Sequence, residues 1–266
     1  MVLSDKIKKK IHFILPGGGV NGCFQAGFLY RLFKDYKDYI EIERIDGISV
    51  GALNGICVFL EDIEMLKNVW FNIEERGDLF VDHESTSEYW YKGCLYNNSG
   101  LKKTVETYSN FVIPELMSKF NCVVQNLDSN NYEYKNGLDA NIWEYIIASA
   151  SPPIITQKSK IGDNLYADGC IGQIYPIDNI CDNVDIVIIL GYYETTGYYL
   201  FNLFKMFKQS ISDNVQITEK LIEEKKVIPI YNPCKNYLID FRRSIIEEGF
   251  DLGEKAAIDF FNNNFV

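Results

Sequence analysis

Histidine is scarce in this chain: there are 2 among 266 residues, His12 and His83. That scarcity constrains any proton-transfer chemistry, because imidazole is the side chain that titrates near neutrality. Positive charge is also short, with Lys+Arg at 26 against Asp+Glu at 37 and a formal net charge of -11. A surface that acidic repels nucleic-acid phosphates and is not drawn to anionic lipid, so nucleic acid is not an expected partner. Any transient membrane contact has to be apolar and local. The 7 cysteines are scattered singly, with no Cys-x-x-Cys pair. They read as reduced thiols, which fits a cytoplasmic protein. No stretch approaches the ~18 apolar residues that span a bilayer. The opening MVLSDKIKKKIHFIL is basic and then apolar. Its apolar part is too short for a signal-peptide core and runs straight into a glycine-rich turn, so it reads as a lead into a first strand. Neither a repeat nor a linker interrupts the sequence, and one domain over residues 1–266 is expected.

The hydrophobic fraction, 47%, is ample for a sizeable core. Ile11 to Leu15 is a short apolar run that stops at Pro16-Gly17-Gly18-Gly19, as a buried strand entering a turn would. Residues 22–37 carry Phe24, Phe28, Leu29, Leu32 and Phe33 at near-helical spacing. Ile40 to Ile48 alternates as a strand, and a helix of small residues starts at Gly51. This strand–turn–helix alternation predicts an α/β fold with a largely parallel sheet. Further on, residues 76–100 read as an irregular excursion and Val105 to Phe120 as a helix. Asn121 to Tyr134 reads as two strands and Asn141 to Ala150 as a helix stopped by Pro152-Pro153. Val184 to Leu190 and Val227 to Tyr231 read as strands, Leu200 to Glu224 and Phe250 to Phe261 as helices.

Two glycine turns carry chemistry. Gly17-Gly18-Gly19-Val20-Asn21-Gly22 follows a strand and opens a helix, so its backbone N–H groups face whatever anion sits there. One reading is a dinucleotide turn of a Rossmann oxidoreductase, with Gly17, Gly19 and Gly22 in G-x-G-x-x-G spacing and Glu41 or Glu43 as the ribose acid. A second is an oxyanion hole, and a third is a tight turn without a ligand. Gly47-Ile48-Ser49-Val50-Gly51 is G-x-S-x-G between a strand and a small-residue helix, the setting in which that motif lifts a serine hydroxyl clear of the backbone. Only acyl transfer explains both turns together.

A nucleophilic Ser49 needs a base. No histidine follows residue 83, so the Ser–acid–His order of α/β-hydrolases is excluded, although His83 could approach from another direction. His12 lies within the first strand. The remaining candidates are carboxylates. Asp168-Gly169 comes directly after the alternating stretch Ile161 to Ala167 and before Gly172, which could place it at a sheet edge beside Ser49. An aspartate with an ordinary pKa is a weak base unless burial raises it or it is held against the hydroxyl.

Together, Gly17 to Gly22, Gly47 to Gly51, Asp168-Gly169-Cys170 and the segment Ala148-Ser149-Ala150-Ser151-Pro152-Pro153 resemble the patatin-like phospholipases over roughly residues 11–190. The resemblance implies a three-layer α/β/α sandwich acting on lipid esters, either phospholipid or lysophospholipid. It implies Ser49 as nucleophile, Asp168 as base, an oxyanion hole from Gly18, Gly19 and their neighbours, and neither metal nor cofactor. Two positions depart from the family pattern. Asn21 stands where the family usually has Arg or Lys, a cation thought to support the oxyanion loop or the headgroup, and Cys170 stands where Gly or Ala is usual. A catalytically weak lipid-binding relative is the other reading of the same motifs. The aromatic run Tyr198 to Phe207 reads as a packed helix or as a lid over an acyl pocket. Glu219, Glu223 and Glu224 read as a solvated helix face, and Asp182 with Asp185 as weak evidence for a cation.

Overall fold

The computed structural model describes residues 8–84, 93–193 and 208–266. Its strands in chain order are β1 (Lys9–Leu15), β2 (Ile40–Ile48), β3 (Val81–Asp82), β4 (Tyr96–Asn97), β5 (Phe120–Asn126), β6 (Asn131–Asn136), β7 (Ser159–Ile161), β8 (Asn164–Asp168), β9 (Ile186–Tyr192) and β10 (Ile228–Tyr231). The helices are α1 (Cys23–Asp35), α2 (Val50–Cys57), α3 (Glu64–Phe71), α4 (Ser99–Ser109), α5 (Ile142–Ser149), α6 (Lys208–Glu223) and α7 (Arg243–Phe265). The main sheet runs β10-β9-β1-β2-β5-β8-β7, and β10 through β5 are mutually parallel.

Alternation along the strands divides the core into two layers. Ile11, Phe13 and Leu15 of β1 join the core beneath α1 and α7, while Ile14 joins Val187, Ile189, Ile211 and Val215 beneath α6. A strand covered on both faces must be apolar at nearly every position, which is why β1 and β9 read as continuous hydrophobic runs. Helices on both faces of a mostly parallel sheet make the three-layer α/β/α sandwich. Phe28 packs on Phe260 at 5.7 Å and Tyr30 on Phe250 at 5.5 Å, seating α7 on α1.

The feature that builds the site lies on β5. β6 occupies one edge of β5 along Asn121–Asn126. The other edge is shared by two strands running toward each other: β2, parallel, beside Phe120–Val123, and β8, antiparallel, beside Val124–Asn126. Ile48 lies opposite Val123 and Asp168 opposite Val124. The tips of β2 and β8 therefore meet head to head, which brings Ser49 to Asp168 across a long sequence separation.

Three elements differ from the sequence expectations. The helix expected over 105–120 is α4, which starts at Ser99 and ends at Ser109; Pro114 then opens a separate 3-10 turn over Pro114–Lys119, since proline has no N–H to continue a helix. The run Ile161 to Ala167 is a hairpin, because Gly162 turns the chain at φ 60 between β7 and β8. α7 begins at Arg243 rather than Phe250. The excursion over 76–100 contains the two-stranded β3-β4 ladder. Tyr198 to Phe207 lies outside the described residues.

Candidate active site

Ser49 connects β2 to α2 with φ 55 and ψ -127, a conformation that costs a non-glycine residue about 1–3 kcal/mol. The neighbours hold it there. Its N–H donates to Ser149 Oγ at 2.8 Å, and that hydroxyl donates on to the Val123 carbonyl at 2.6 Å. Its carbonyl accepts from Ala52 N at 2.9 Å, the first bond of α2. The turn also needs its glycines: a Cβ on Gly51 would sit 2.1 Å from the Leu15 carbonyl oxygen, and one on Gly47 2.6 Å from the Gly51 oxygen. Ser49 thus stands at the positive end of α2's dipole. Ser149→Ala leaves the strained amide and the Val123 carbonyl unpaired, a cost of about 1–3 kcal/mol. The expected result is a fall in kcat of roughly 10-fold or more with little change in KM, read from steady-state ester kinetics.

Asp168 ends β8 and is 2% exposed. Its N–H donates to the Ser151 carbonyl at 3.2 Å, and its Oδ1 accepts from Cys170 N at 2.9 Å. The segment Ala148 to Pro153 therefore grips both residues, Ser49 through Ser149 and Asp168 through Ser151. Burial pushes the Asp168 carboxyl up from 3.8 to about 6, against the opposing pull of the Cys170 amide and the Ser49 hydroxyl. An aspartate raised this far is a usable base near neutral pH and changes charge in a range where activity is easily measured.

The glycine bend lies at the carboxyl end of β1, where open α/β sheets place ligands. Gly19 has φ 56, and a Cβ there would be 2.1 Å from the Leu238 carbonyl oxygen. Val20 N donates to that same carbonyl at 2.9 Å, Asn21 N to the Gly18 carbonyl at 3.2 Å, and the Gly17 N–H faces the Cys170 sulfur. Gly22 packs against Val50. Among the described residues the amides of Gly18 and Gly19 have no such partner, and both glycines line the cavity that holds Ser49. Of the predicted anion-facing set Gly17, Gly18, Gly19, Asn21 and Gly22, the geometry thus narrows the free amides to two. Asn21 does not reach outward as a longer cation would: its side chain donates to the Asn236 carbonyl at 3.0 Å and accepts from Asn236 N at 3.1 Å. Below the bend, Gln25 Nε2 donates to the Pro16 carbonyl at 2.7 Å and Asn54 Nδ2 to the Gly22 carbonyl at 2.9 Å, while Trp70 Nε1 fixes Asn54 at 2.8 Å.

From Ser49 and Asp168 a cavity of about 110 Å³ runs between α2, α3 and α4. Val50, Leu53, Cys57 and Leu60 line it along α2 and just beyond, and Trp70, Leu101, Val105 and Phe241 close its sides. The stripe from Val50 to Cys57 alone spans about 10 Å at the helical rise. Its walls suit a hydrocarbon chain and offer few hydrogen-bond partners.

Neither histidine lines this cavity. His12 Nε2 pairs with Asp46 Oδ2 at 3.0 Å, both side chains fully buried, and His83 Nε2 lies 3.1 Å from the Cys94 carbonyl. The acids expected for a dinucleotide ribose are also misplaced. Glu41 is in register with Lys10 and Glu43 pairs with Lys10, whereas the bend follows Leu15, which is opposite Gly47. Glu41 is six residues from Gly47 along β2, about 20 Å at the strand rise. Gly169 packs its Cα against the Val123 carbonyl beside Asp168. Sequence reasoning missed the bracing residues Gln25, Asn54, Asn232, Asn236 and Leu238. The available signal was position: residues 232–241 follow β10, and loops at the carboxyl ends of parallel strands surround the ligand site.

A buried serine and a buried aspartate thus meet beside a glycine bend at the carboxyl edge of a three-layer α/β/α sandwich. The family model for patatin-like phospholipase matches residues 13–181, more than half of the chain, and the protein belongs to that family. It is 26% identical over 185 residues to "Uncharacterized protein R571" of Acanthamoeba polyphaga mimivirus, a match covering 65% of this chain and 62% of the relative. The match thus spans less than two thirds of that relative's length. Among solved structures, VipD from Legionella pneumophila aligns over 95% of this chain and 67% of its own, with TM-score 0.44 and 12% identity.

Proposed function

We propose that the protein is a serine hydrolase of lipid acyl esters, of phospholipase A or lysophospholipase type, working through a Ser49–Asp168 dyad. Asp168 takes the hydroxyl proton as Ser49 attacks the ester carbonyl. The amides of Gly18 and Gly19 receive the developing oxyanion, and the alcohol leaves with the proton from Asp168. Water, activated by the same carboxylate, then releases the fatty acid. The observation that carries this reading is a single one: the Ser49 hydroxyl meets a buried carboxylate raised to about 6 at the mouth of an apolar cavity.

Substrate delivery follows from the surface. Ile154, 65% exposed, and Tyr237, 73% exposed, flank the cavity-lining residues Ile155 and Leu238. They suit transient apolar contact with a zwitterionic lipid surface, whereas the net charge of -11 disfavours an anionic one. The cysteines are free, in keeping with a reducing, cytoplasmic setting.

The test is fatty-acid release from phosphatidylcholine, lysophosphatidylcholine and p-nitrophenyl esters of graded chain length, run across pH. Because Asp168 must be ionised to act as base, kcat/KM should fall tenfold per pH unit below about 6 and level off above it. Hydrolysis that stays flat from pH 4 to 8, or that rises toward acid, would exclude Asp168 as the base.

A further inference from the structure

We propose that Cys23 and Cys234 form a reversible dithiol–disulfide site that couples the start of α1 to the segment bracing the glycine bend. The two sulfurs converge on one point: a Cβ on Gly249 would lie 2.1 Å from Cys23 Sγ and 3.3 Å from Cys234 Sγ. The Cys23 thiol donates to the Ile245 carbonyl at 3.8 Å, which leaves its sulfur beside that of Cys234. The adjacent sulfur and burial push the Cys23 thiol up, whereas the Cys23 neighbour holds Cys234 below the ordinary thiol range, so Cys234 is the more readily ionised of the two. Cys23 is 0% exposed and Cys234 7%, which restricts the oxidant to a small molecule such as hydrogen peroxide.

The chemistry balances with a peroxide as oxidant. The Cys234 thiolate attacks one peroxide oxygen, the O–O bond breaks, and the released hydroxide is protonated to water, leaving a sulfenic acid. Cys23 sulfur then attacks the sulfenic sulfur, the S–O bond breaks, and a second water departs with the Cys23 proton. Two thiols and one peroxide become one disulfide and two waters.

The consequence follows from what each cysteine is attached to. Cys23 directly follows Gly22 and begins α1. Cys234 belongs to the segment that holds the bend through Leu238 O to Val20 N at 2.9 Å, through the two Asn236 contacts to Asn21, and through Asn232 Nδ2 to the Asn21 carbonyl at 2.9 Å. A disulfide is about 2.05 Å long, much shorter than any contact between unbonded sulfurs, so oxidation draws this segment toward α1. The amides of Gly18 and Gly19 shift with it. The effect on turnover rests on the hydrolase reading above, whereas formation of the bond does not.

The experiment treats the full chain with hydrogen peroxide, or with dithiothreitol as the reduced reference, and follows ester turnover, intact mass and a non-reducing peptide map. The expected result is a Cys23–Cys234 cross-linked peptide, with turnover lowered roughly fivefold or more and restored by dithiothreitol, since sub-ångström displacement of catalytic groups is costly. Cys234→Ala is expected to keep the reduced-state turnover and lose the sensitivity to peroxide. Free thiols at both positions after oxidation would overturn the site. So would a cross-link that leaves turnover unchanged, or undiminished sensitivity in Cys234→Ala, because each breaks the link to the bend. A cross-link in a protein that shows no hydrolysis even when reduced would support the dithiol site and count against the hydrolase reading.

Discussion

Ser49→Ala is expected to abolish ester hydrolysis, with kcat lowered at least about 10³-fold and residual rate owed only to binding and to the glycine bend. The loss should be chemical rather than structural. Alanine keeps the Cβ, so the φ of 55 stays as strained as before, and the bond from residue 49 N–H to Ser149 Oγ at 2.8 Å is untouched. Ser49→Gly separates the two effects. It also removes the hydroxyl but relieves the positive φ, and should be equally inactive yet more stable than Ser49→Ala by about 1 kcal/mol. Steady-state kinetics and thermal melts on the two variants check this. A melting temperature for Ser49→Ala far below that of the wild type would mean that the hydroxyl holds the fold rather than the reaction.

Asp168→Asn is the second large effect, and its two consequences have opposite signs. Activity should fall roughly 10³-fold or more, because a carboxamide cannot accept the Ser49 proton, while Oδ1 can still accept from Cys170 N. Stability should rise at neutral pH. The carboxyl goes from 3.8 in the unfolded chain to about 6 when folded, so the folded protein binds this proton more tightly than the unfolded chain does. The carboxyl's contribution to stability is therefore fully present below pH 3.8 and is lost as pH rises through about 6. A shift of that size corresponds to about 3 kcal/mol at pH 8, the cost of holding a charge in a buried site. Denaturant unfolding of Asp168→Asn should match the wild type near pH 4 and exceed it at pH 8. A variant less stable than the wild type at pH 8 would mean that the charge is compensated by contacts other than those described.

The sequence made the strand order β1, β2 and the two glycine turns legible because those features are local. A buried strand announces itself by Ile11 to Leu15, and Gly47 and Gly51 are needed by atoms close in space to their own turn. Asp168 was legible only as an Asp-Gly after a strand. What makes it a partner of Ser49 is the shared edge of β5, a relation among three strands with no trace in any one of them. The same holds for Ser149 and Ser151, where the motif was visible but its grip on both residues was not. The bracing segment carrying Asn232, Asn236 and Leu238 lies far along the chain and has no periodic pattern, since apart from the Asn232 side chain it holds the bend through backbone carbonyls and an amide that any side chain could accompany. Asn21 looked like a lost cation and is instead a clamp on Asn236. The limits of the helices over 99–109 and 243–265 were not legible: the first stops at Ser109, before the apolar Phe111, Val112 and Ile113, and the second already buries Ile245 and Ile246 in its first turn.

The most direct measurement is active-site labelling with a fluorophosphonate, followed by mapping of the modified peptide. The dyad predicts one adduct, on Ser49, formed rapidly by the wild type, slowed severely in Asp168→Asn and absent in Ser49→Ala. An adduct on any other residue, or a Ser49→Ala protein that is still labelled and still cleaves esters, would contradict it.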